Sequence, residues 1–282
     1  MSGTTSAGSP AARPPDSERR FAFGRNWRDY VEKSFTPEKV EIARKHLLGF
    51  LGRTDLAGQS FLDIGCGSGL HSYAAFQAGA ARVVSFDYDR DSVETTRLLH
   101  AVAGHPERWS ISQGSILDRA FVATLGTFDV VYSWGVLHHT GDQWSAIRNA
   151  ASCLAPGSLF YIALYTSDVF VDPPPAFWLD VKKRYVDGGF LTKRRLELWY
   201  LWRFNLGGNP LRIPRLVKQM AEYKKNRGMN LYTDVKDWLG GWPMEFSSIA
   251  EVKRFADKEL GLELVKIAAG EANTEYLFRK PA

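Results

Sequence analysis

The stretch "FLDIGCGSGLHS", residues 61–72, runs from apolar residues into three glycines at alternate positions. Its first residues predict a short buried strand, and its end, continued by "YAAFQAGA", is compatible with a helix. The glycines between them predict a tight turn, because glycine adopts backbone conformations that other residues avoid. A glycine turn between a strand and a helix is typical of sites that hold a dinucleotide, a nucleoside triphosphate or a sulfonium nucleoside.

The residues that follow the glycines argue against two of these ligands. A nucleoside-triphosphate loop ends in Gly-Lys-Ser/Thr, whereas here Gly69 is followed by Leu70 and His71. The dinucleotide fingerprint G-x-G-x-x-G needs a third glycine for close helix–strand packing, and Leu70 stands at that position. The turn therefore departs from both patterns.

Two carboxylates favour the sulfonium nucleoside. Asp63 lies two residues before Gly65, where it would repel a pyrophosphate and attract a sulfonium or ammonium group. Asp87 ends the next apolar run, "VVSFD", and an acid at that position can accept both hydroxyls of a ribose. Since Asp87 suits a dinucleotide and S-adenosylmethionine (SAM) alike, Asp63 and the missing glycine decide in favour of SAM.

Short apolar runs alternate with helical patterns from residue 36 to residue 165, which predicts a mostly parallel sheet with helices on both faces. A long segment rich in Pro, Trp, Tyr and basic residues follows, before one more helix and two closing strands. We predict five segments. They are a disordered tail at 1–20, an N-terminal helical lid at 21–55, a SAM-binding core at 56–165, a substrate-covering insertion at 166–246 and the completion of the core at 247–282.

Composition and charge add broad limits. The 282 residues are 45% hydrophobic and 24% charged, as in an ordinary globular protein, and no apolar run predicts a transmembrane segment. Two cysteines are too few for a disulfide framework and suit a reducing cytoplasm. Residues 182–227 hold thirteen Lys or Arg and three acids, a charge of +10. That segment is compatible with a solvated face, with attraction of an anionic small substrate, or with binding to RNA or a membrane surface.

The motifs "LDIGCGSG", "VVSFDYD", "SQGSILD", "FDVVYSWGVLHH" and "LAPGSLFYIALY" occur in this order. In order and spacing they resemble the class I SAM-dependent methyltransferases, over residues 36–165 and more loosely over 247–280. The resemblance implies an α/β, Rossmann-like fold. Its seven-stranded, mostly parallel sheet would have the last strand antiparallel, with the helical insertion between strand 5 and the final helix.

The resemblance also implies cofactor-binding roles for residues at the ends of the first four strands. Those lining the methionine part of SAM would be Asp63, Gly65 and Gly67. Those at the ribose and adenine would be Asp87, Tyr88, Ser115 and Ile116. Those near the methionine and the transferring methyl would be Ser133 and Trp134.

The sequence "GVLHH" is similar to the small-molecule branch of the family, including the ubiquinone and menaquinone methylases. A phenol or alcohol must lose a proton on methylation, so His138 and His139 are candidates for a general base. Adjacent residues in an extended segment point in opposite directions, so at most one should face the site, and either can instead cap the next helix. No second His or Cys cluster has ligand spacing, so no metal is expected.

In this fold, ligands bind at the carboxyl ends of the strands, and the insertion leaves strand five there. We expect it to cover the acceptor, with Trp238, Trp242 and Glu245 as candidate substrate-binding residues. The predicted function is methyl transfer from SAM to an O or N atom of a small molecule, anionic or aromatic, such as a secondary metabolite, a quinone or a sugar. The alternatives are an RNA or protein methyltransferase that uses the basic insertion, a non-catalytic SAM-binding module, and an NAD-dependent oxidoreductase.

Overall fold

The computed structural model describes residues 31, 35–170, 172–218, 220, 231–270 and 272–282. The predicted tail at 1–20 lies outside the described residues, as does most of the predicted lid before residue 35. Within the described part of the chain, no helix is long and apolar enough to cross a membrane.

Seven strands form one sheet in the order β3-β2-β1-β4-β5-β7-β6. The first five strands are mutually parallel, and β7 runs antiparallel between β5 and β6. The prediction of a mostly parallel sheet whose last strand is antiparallel is confirmed. The strands are β1 (Ser60–Ile64), β2 (Arg82–Asp87), β3 (Trp109–Gln113), β4 (Phe128–Trp134), β5 (Leu154–Tyr165), β6 (Glu263–Ala269) and β7 (Asn273–Arg279).

Helices cover both faces of the sheet, which explains why its central strands are apolar on both sides. One core cluster contains Leu62, Val131 and Phe160, and the other contains Phe61, Tyr132 and Tyr161. The helices are α1 (Pro37–Leu51), α2 (Leu70–Gln77), α3 (Arg90–Val102), α4 (Arg119–Leu125), α5 (Gln143–Ser152), α6 (Pro175–Asp187), α7 (Phe190–Tyr200), α8 (Leu231–Gly240) and α9 (Ile249–Leu260).

Strand β5 begins earlier than the sequence predicts. The residues "APG" predict the end of the helix and "SLFYIALY" predicts a strand over 158–165, but Leu154 already pairs with Phe128 of β4. The pairing register then shifts, and Gly157 N–H donates to the carbonyl groups of Lys280 and Pro281. The early segment is therefore held extended by partners on both sides, which no local pattern reveals.

Between β5 and α9 the chain forms the helices α6, α7 and α8, which pack around their own small core. Val181 and Tyr185 of α6 meet Val235 and Leu239 of α8, and aromatic rings of α7 pack against them. After this insertion, Ser248 caps α9 in a capping box with Glu251.

Candidate functional site

The glycine turn after β1 is tied to the end of β2. Gly65 and Cys66 donate their N–H groups to the carbonyl of Phe86, and Gly67 N–H donates to Asp87 Oδ2 at 3.0 Å. Gly65 has a φ of +73°, and a Cβ there would lie 2.4 Å from Val136 Cγ1 of the turn after β4. Only glycine therefore fits where the turns after β1 and β4 meet.

Asp63 is buried at the end of a chain of hydrogen bonds. Trp109 Nε1 donates to Ser85 Oγ at 2.9 Å, Ser85 Oγ to Ser72 Oγ at 2.7 Å, and Ser72 Oγ to Asp63 Oδ2 at 2.5 Å. Burial raises the pKa of Asp63 to about 7, with the charge of Asp87 adding to the effect, while the Ser72 hydrogen bond opposes it. Each donor polarises the next, so the chain supports negative charge on this carboxyl.

Asp87 is the last residue of β2, and both of its carboxylate oxygens accept hydrogen bonds from backbone N–H groups. Oδ2 accepts from Gly67, and Oδ1 accepts from Asp89 N–H at 2.9 Å. Burial raises the pKa of Asp87 to about 6, although these hydrogen bonds act to lower it. The next side chain, Tyr88, is 48% exposed at the end of β2.

The ends of β3 and β4 supply the remaining predicted cofactor residues. Ile116 is buried and Ser115 partly buried, just after β3, where Ser115 Oγ accepts from Leu117 N–H. Ser133 is fully buried and donates to the carbonyl of Ile64, which joins β4 to β1. Ser133 therefore holds the two strand ends together, and its hydroxyl is committed to that contact. Trp134, in contrast, is 41% exposed.

The two histidines do not lie in an extended segment, which corrects the expectation that they point in opposite directions. Leu137–His139 forms a turn of 3₁₀-helix, and the two imidazole rings lie 4.4 Å apart. The tight turn follows from Gly135, whose φ of +75° lets the chain reverse directly after β4. Both rings therefore face the same region, near Tyr165 at the end of β5.

The two rings differ in hydrogen bonding and burial. His138 Nδ1 accepts from Tyr165 N–H at 3.3 Å, and His138 Nε2 is buried without a partner among the described residues. Burial lowers the pKa of His138 well below its usual value, so this ring is neutral. His139 Nδ1 lies 2.7 Å from the carbonyl oxygen of Pro243 and must donate to it. In the neutral ring of His139 the lone pair is consequently on Nε2.

Of the three predicted substrate-binding residues, Trp238 lies on α8, and Trp242 and Glu245 lie in the segment between α8 and α9. Glu245 Oε2 accepts from Gln143 N–H at the start of α5, and Glu245 N–H donates to the carbonyl of His138. Trp238 is surrounded by Phe170, Tyr165 and Trp178, and Trp242 is partly buried. Glu245 thus holds the insertion against the turn that carries the histidines.

Sequence reasoning missed two charged groups near these residues. Lys182 of α6 is 1% exposed, lies 4.0 Å above the Trp238 ring and donates to the Trp238 carbonyl. Glu275 of β7 accepts from Trp134 Nε1 at 2.7 Å. Neither belongs to a local motif, so only the tertiary arrangement identifies them. Across the described ranges, no group of three or more His, Cys, Asp or Glu is arranged to hold a metal ion.

The arrangement fits SAM. The turn at Gly65 packs so closely against Val136 that only glycine fits, and Asp63 and Asp87 lie near the ends of the neighbouring strands β1 and β2 beside it. Among the described residues the buried hydroxyl of Tyr132 has no hydrogen-bond partner, and burial, together with the charges of Tyr161, Asp63 and Glu275, raises its pKa. Acidic groups beside a glycine turn suit a ligand with ammonium, sulfonium and ribose groups better than a pyrophosphate.

Comparison with known proteins agrees with this geometry. A family model described as a methyltransferase domain matches residues 33–228. Ubiquinone biosynthesis O-methyltransferase of Parvibaculum lavamentivorans is 30% identical over 160 residues, which cover 53% of this chain and 61% of that protein. tRNA U34 carboxymethyltransferase of Methylococcus capsulatus is 33% identical over 102 residues, 36% of this chain and 31% of that protein. The chain thus spans less than two thirds of the length of these relatives.

A solved structure shares the fold. Magnesium protoporphyrin IX methyltransferase from Synechocystis, with bound SAM, superposes with a TM-score of 0.53 at 12% identity, covering 96% of this chain and all of that one. The family match covers more than half of the sequence, and the sheet order and strand ends agree with it. The chain therefore belongs to the methyltransferase-domain family, as a class I member whose cofactor is S-adenosylmethionine.

Proposed function

We propose that this protein transfers the methyl group of SAM to an O or N atom of a small molecule. The observation that carries the proposal is the bond from Gly67 N–H to Asp87 Oδ2, which joins the glycine turn to the end of β2. It holds the carboxylate of Asp87, the proposed ribose ligand, beside the turn at Gly65, with Asp63 on the neighbouring strand. When bound, SAM supplies a methyl group on a sulfonium, which is open to in-line displacement by a nucleophile.

In this proposal the residues of the chain bind, orient and remove a proton. Asp63 attracts the ammonium or sulfonium charge, and Asp87 accepts hydrogen bonds from the ribose hydroxyls. The exposed ring of Tyr88 lies against the adenine or ribose, and Ser115 and Ile116 border the adenine. The insertion covers the carboxyl ends of β4 and β5 and excludes water, with Trp238, Trp242 and Glu245 on its acceptor side.

We assign the general base to His139 rather than His138. The Pro243 carbonyl fixes the proton of His139 on Nδ1, so Nε2 is the basic nitrogen. In His138 the nitrogen that accepts is bonded to Tyr165 N–H, and burial opposes a positive charge on the ring. His138 is thus suited to packing the turn against β5, and His139 to accepting the proton of a hydroxyl or amine.

Calorimetry with SAM, S-adenosylhomocysteine and NAD tests the cofactor assignment. The first two should bind and NAD should not. Asp87→Asn should weaken S-adenosylhomocysteine about 10- to 100-fold, because a hydrogen bond to a charged group contributes roughly 1.5–3 kcal/mol. The control is Asp257→Asn on the exposed surface of α9, which should bind as the wild type does. Binding of NAD without SAM would replace the proposal by an oxidoreductase.

The acceptor class is tested with labelled SAM and a fractionated cell extract. Label in metabolites supports the proposal. Label in RNA or protein supports the second candidate, an RNA or protein methyltransferase, which the similarity to a tRNA-modifying enzyme and the basic insertion favour. For that candidate, turnover should fall steeply with salt, because phosphate binding by Lys and Arg releases counterions. Cofactor binding without any transfer of label supports a non-catalytic module.

A further inference from the structure

Glu275 reaches the cofactor edge of the sheet because β7 runs antiparallel to its neighbours. In the register, Glu275 pairs with Ala163 of β5, and Ala163 pairs with Trp134 at the end of β4. A residue near the start of β7 therefore lies at the edge where β4 and β5 end. The strand after β5 thus contributes a carboxylate to the region that the first four strands prepare for SAM.

One oxygen of Glu275 holds three donors. Oε1 accepts from Trp134 Nε1 at 2.7 Å and from Tyr161 OH at 3.0 Å, and His46 Nε2 of α1 lies 3.5 Å away. Burial acts to raise the pKa of Glu275, but the hydrogen bonds from His46 and Trp134 outweigh it and the pKa lies below its usual value. The side chain is therefore an ionised carboxylate in a fixed orientation.

The second oxygen is in a different situation. Among the described residues, no donor contacts Glu275 Oε2, and this atom is not one of the enclosed polar atoms that lack a partner. The side chain as a whole retains 14% exposure, and the neighbouring indole of Trp134 retains 41%. An accessible carboxylate oxygen beside an exposed indole resembles the sites where proteins hold amino groups, since an indole face attracts cations.

We propose that Glu275 Oε2 and the exposed indole of Trp134 form a subsite for an amino or hydroxyl group of the methyl acceptor, favouring a cationic amine over an anion. The proposal rests on the proposed function, because it places the subsite beside the cofactor residues at the ends of β1 and β4. Within the described part of the chain, the buried hydroxyl of Tyr132 has no hydrogen-bond partner, and the charges of both Asp63 and Glu275 act on it. The negative charge of Glu275 orients a donor and repels a carboxylate.

Three probes of the same shape and different charge test the subsite: benzylamine, benzyl alcohol and benzoate. Each is titrated into the protein saturated with S-adenosylhomocysteine, and binding is followed by the indole N–H resonance of Trp134 in a ¹H–¹⁵N spectrum. Trp134→Phe identifies that resonance. Because Trp134 Nε1 donates to Glu275, a donor at Oε2 should shift it. We expect benzylamine to bind at least ~10-fold more tightly than benzoate, with benzyl alcohol between them.

Glu275→Gln keeps the shape of the side chain and removes its charge. It should weaken benzylamine at least ~10-fold and abolish the preference over benzoate. The matched control is Glu263→Gln on the adjacent strand β6, because Glu263 pairs with Arg279 at the far end of β7. This variant should leave the benzylamine affinity and the preference over benzoate unchanged. If Glu275→Gln does not fold, the order of the three probes on the wild type still decides the question.

Equal or tighter binding of benzoate overturns the subsite, as does a benzylamine shift that survives in Glu275→Gln. The failure of the proposed function is distinguishable from this result, since S-adenosylhomocysteine binding is measured on the same sample before the probes are added. Loss of that binding contradicts the function. Retained binding with no preference for the amine contradicts only the role of Glu275.

Discussion

Replacing the buried Lys182 by Met should stabilise the protein near neutral pH. Burial lowers the pKa of this ammonium from 10.5 to about 7. The unfolded chain therefore binds more protons than the folded chain between these values, so the contribution of Lys182 to the free energy of unfolding rises with pH across that interval. The charged form lacks a carboxylate partner among the described residues; it contacts only the ring and carbonyl of Trp238.

The magnitude follows from the pKa difference. A pKa lowered by about 3.5 means that burial disfavours the protonated form by about 5 kcal/mol. Between pH 7 and pH 9 the free energy of unfolding should therefore rise by about 2 kcal/mol. Lys182→Met removes this dependence, because methionine fills a similar volume without a charge. The lost hydrogen bond to Trp238 offsets about 1 kcal/mol of the gain at pH 7.

Urea unfolding of both proteins at pH 7 and pH 9 measures the effect. The wild type should gain about 2 kcal/mol relative to Lys182→Met over this range. Lys183→Met is the matched control, since Lys183 is the next residue of α6 and is exposed, and it should keep the wild-type dependence. If the free energy of unfolding changes equally with pH in Lys182→Met and the wild type, burial does not destabilise the ammonium and the reasoning is wrong.

Three further predictions concern the site and its frame. Gly65→Ala should lower S-adenosylhomocysteine affinity more than 10-fold by calorimetry, because its Cβ meets Val136. Gly58 has a similar φ but open space around it, so Gly58→Ala should change only the free energy of unfolding, by about 1–2 kcal/mol. The raised pKa of Asp63 predicts that SAM binds more tightly as the pH rises from 6 to 8, and Ser72→Ala should move the midpoint upward. His139→Gln should lower kcat on a hydroxyl acceptor about 10²- to 10⁴-fold with unchanged S-adenosylhomocysteine affinity, and His138→Gln should instead lower the melting temperature.

The sequence predicted well where a local pattern carries the structure. Apolar runs that alternate with helical patterns predicted the parallel strands, and the closely spaced glycines predicted the turn after β1. Asp89 directly precedes α3, where an aspartate is a favourable cap, and its side chain accepts from Asp91 N–H. Asp118 caps α4 in the same way, by accepting from the N–H groups of Ala120 and Phe121.

The sequence failed where contacts join distant segments. Glu275 meets Trp134 across 141 positions, and its arrival depends on β7 entering between β5 and β6. The chain of Trp109, Ser85 and Ser72 behind Asp63 joins three elements in the same way. The directions of the two histidine side chains depend on the turn after Gly135. The sequence "GVLHH" is compatible with both a turn and an extended segment, so it does not predict these directions. Such features arise from packing and contain no periodic signal.

The position of β7 also has a consequence for how the protein is made. During synthesis the turn after β1, the end of β2 and the end of β4 can assemble once residue 165 has left the ribosome, since the hydrogen bonds that join these three to one another are among earlier residues. The partner of β5 on its other side arrives only with Asn273–Arg279, more than a hundred residues later. We expect the nascent chain to acquire the cofactor half first, and to leave the edge of β5 uncovered until the final strand docks beside it.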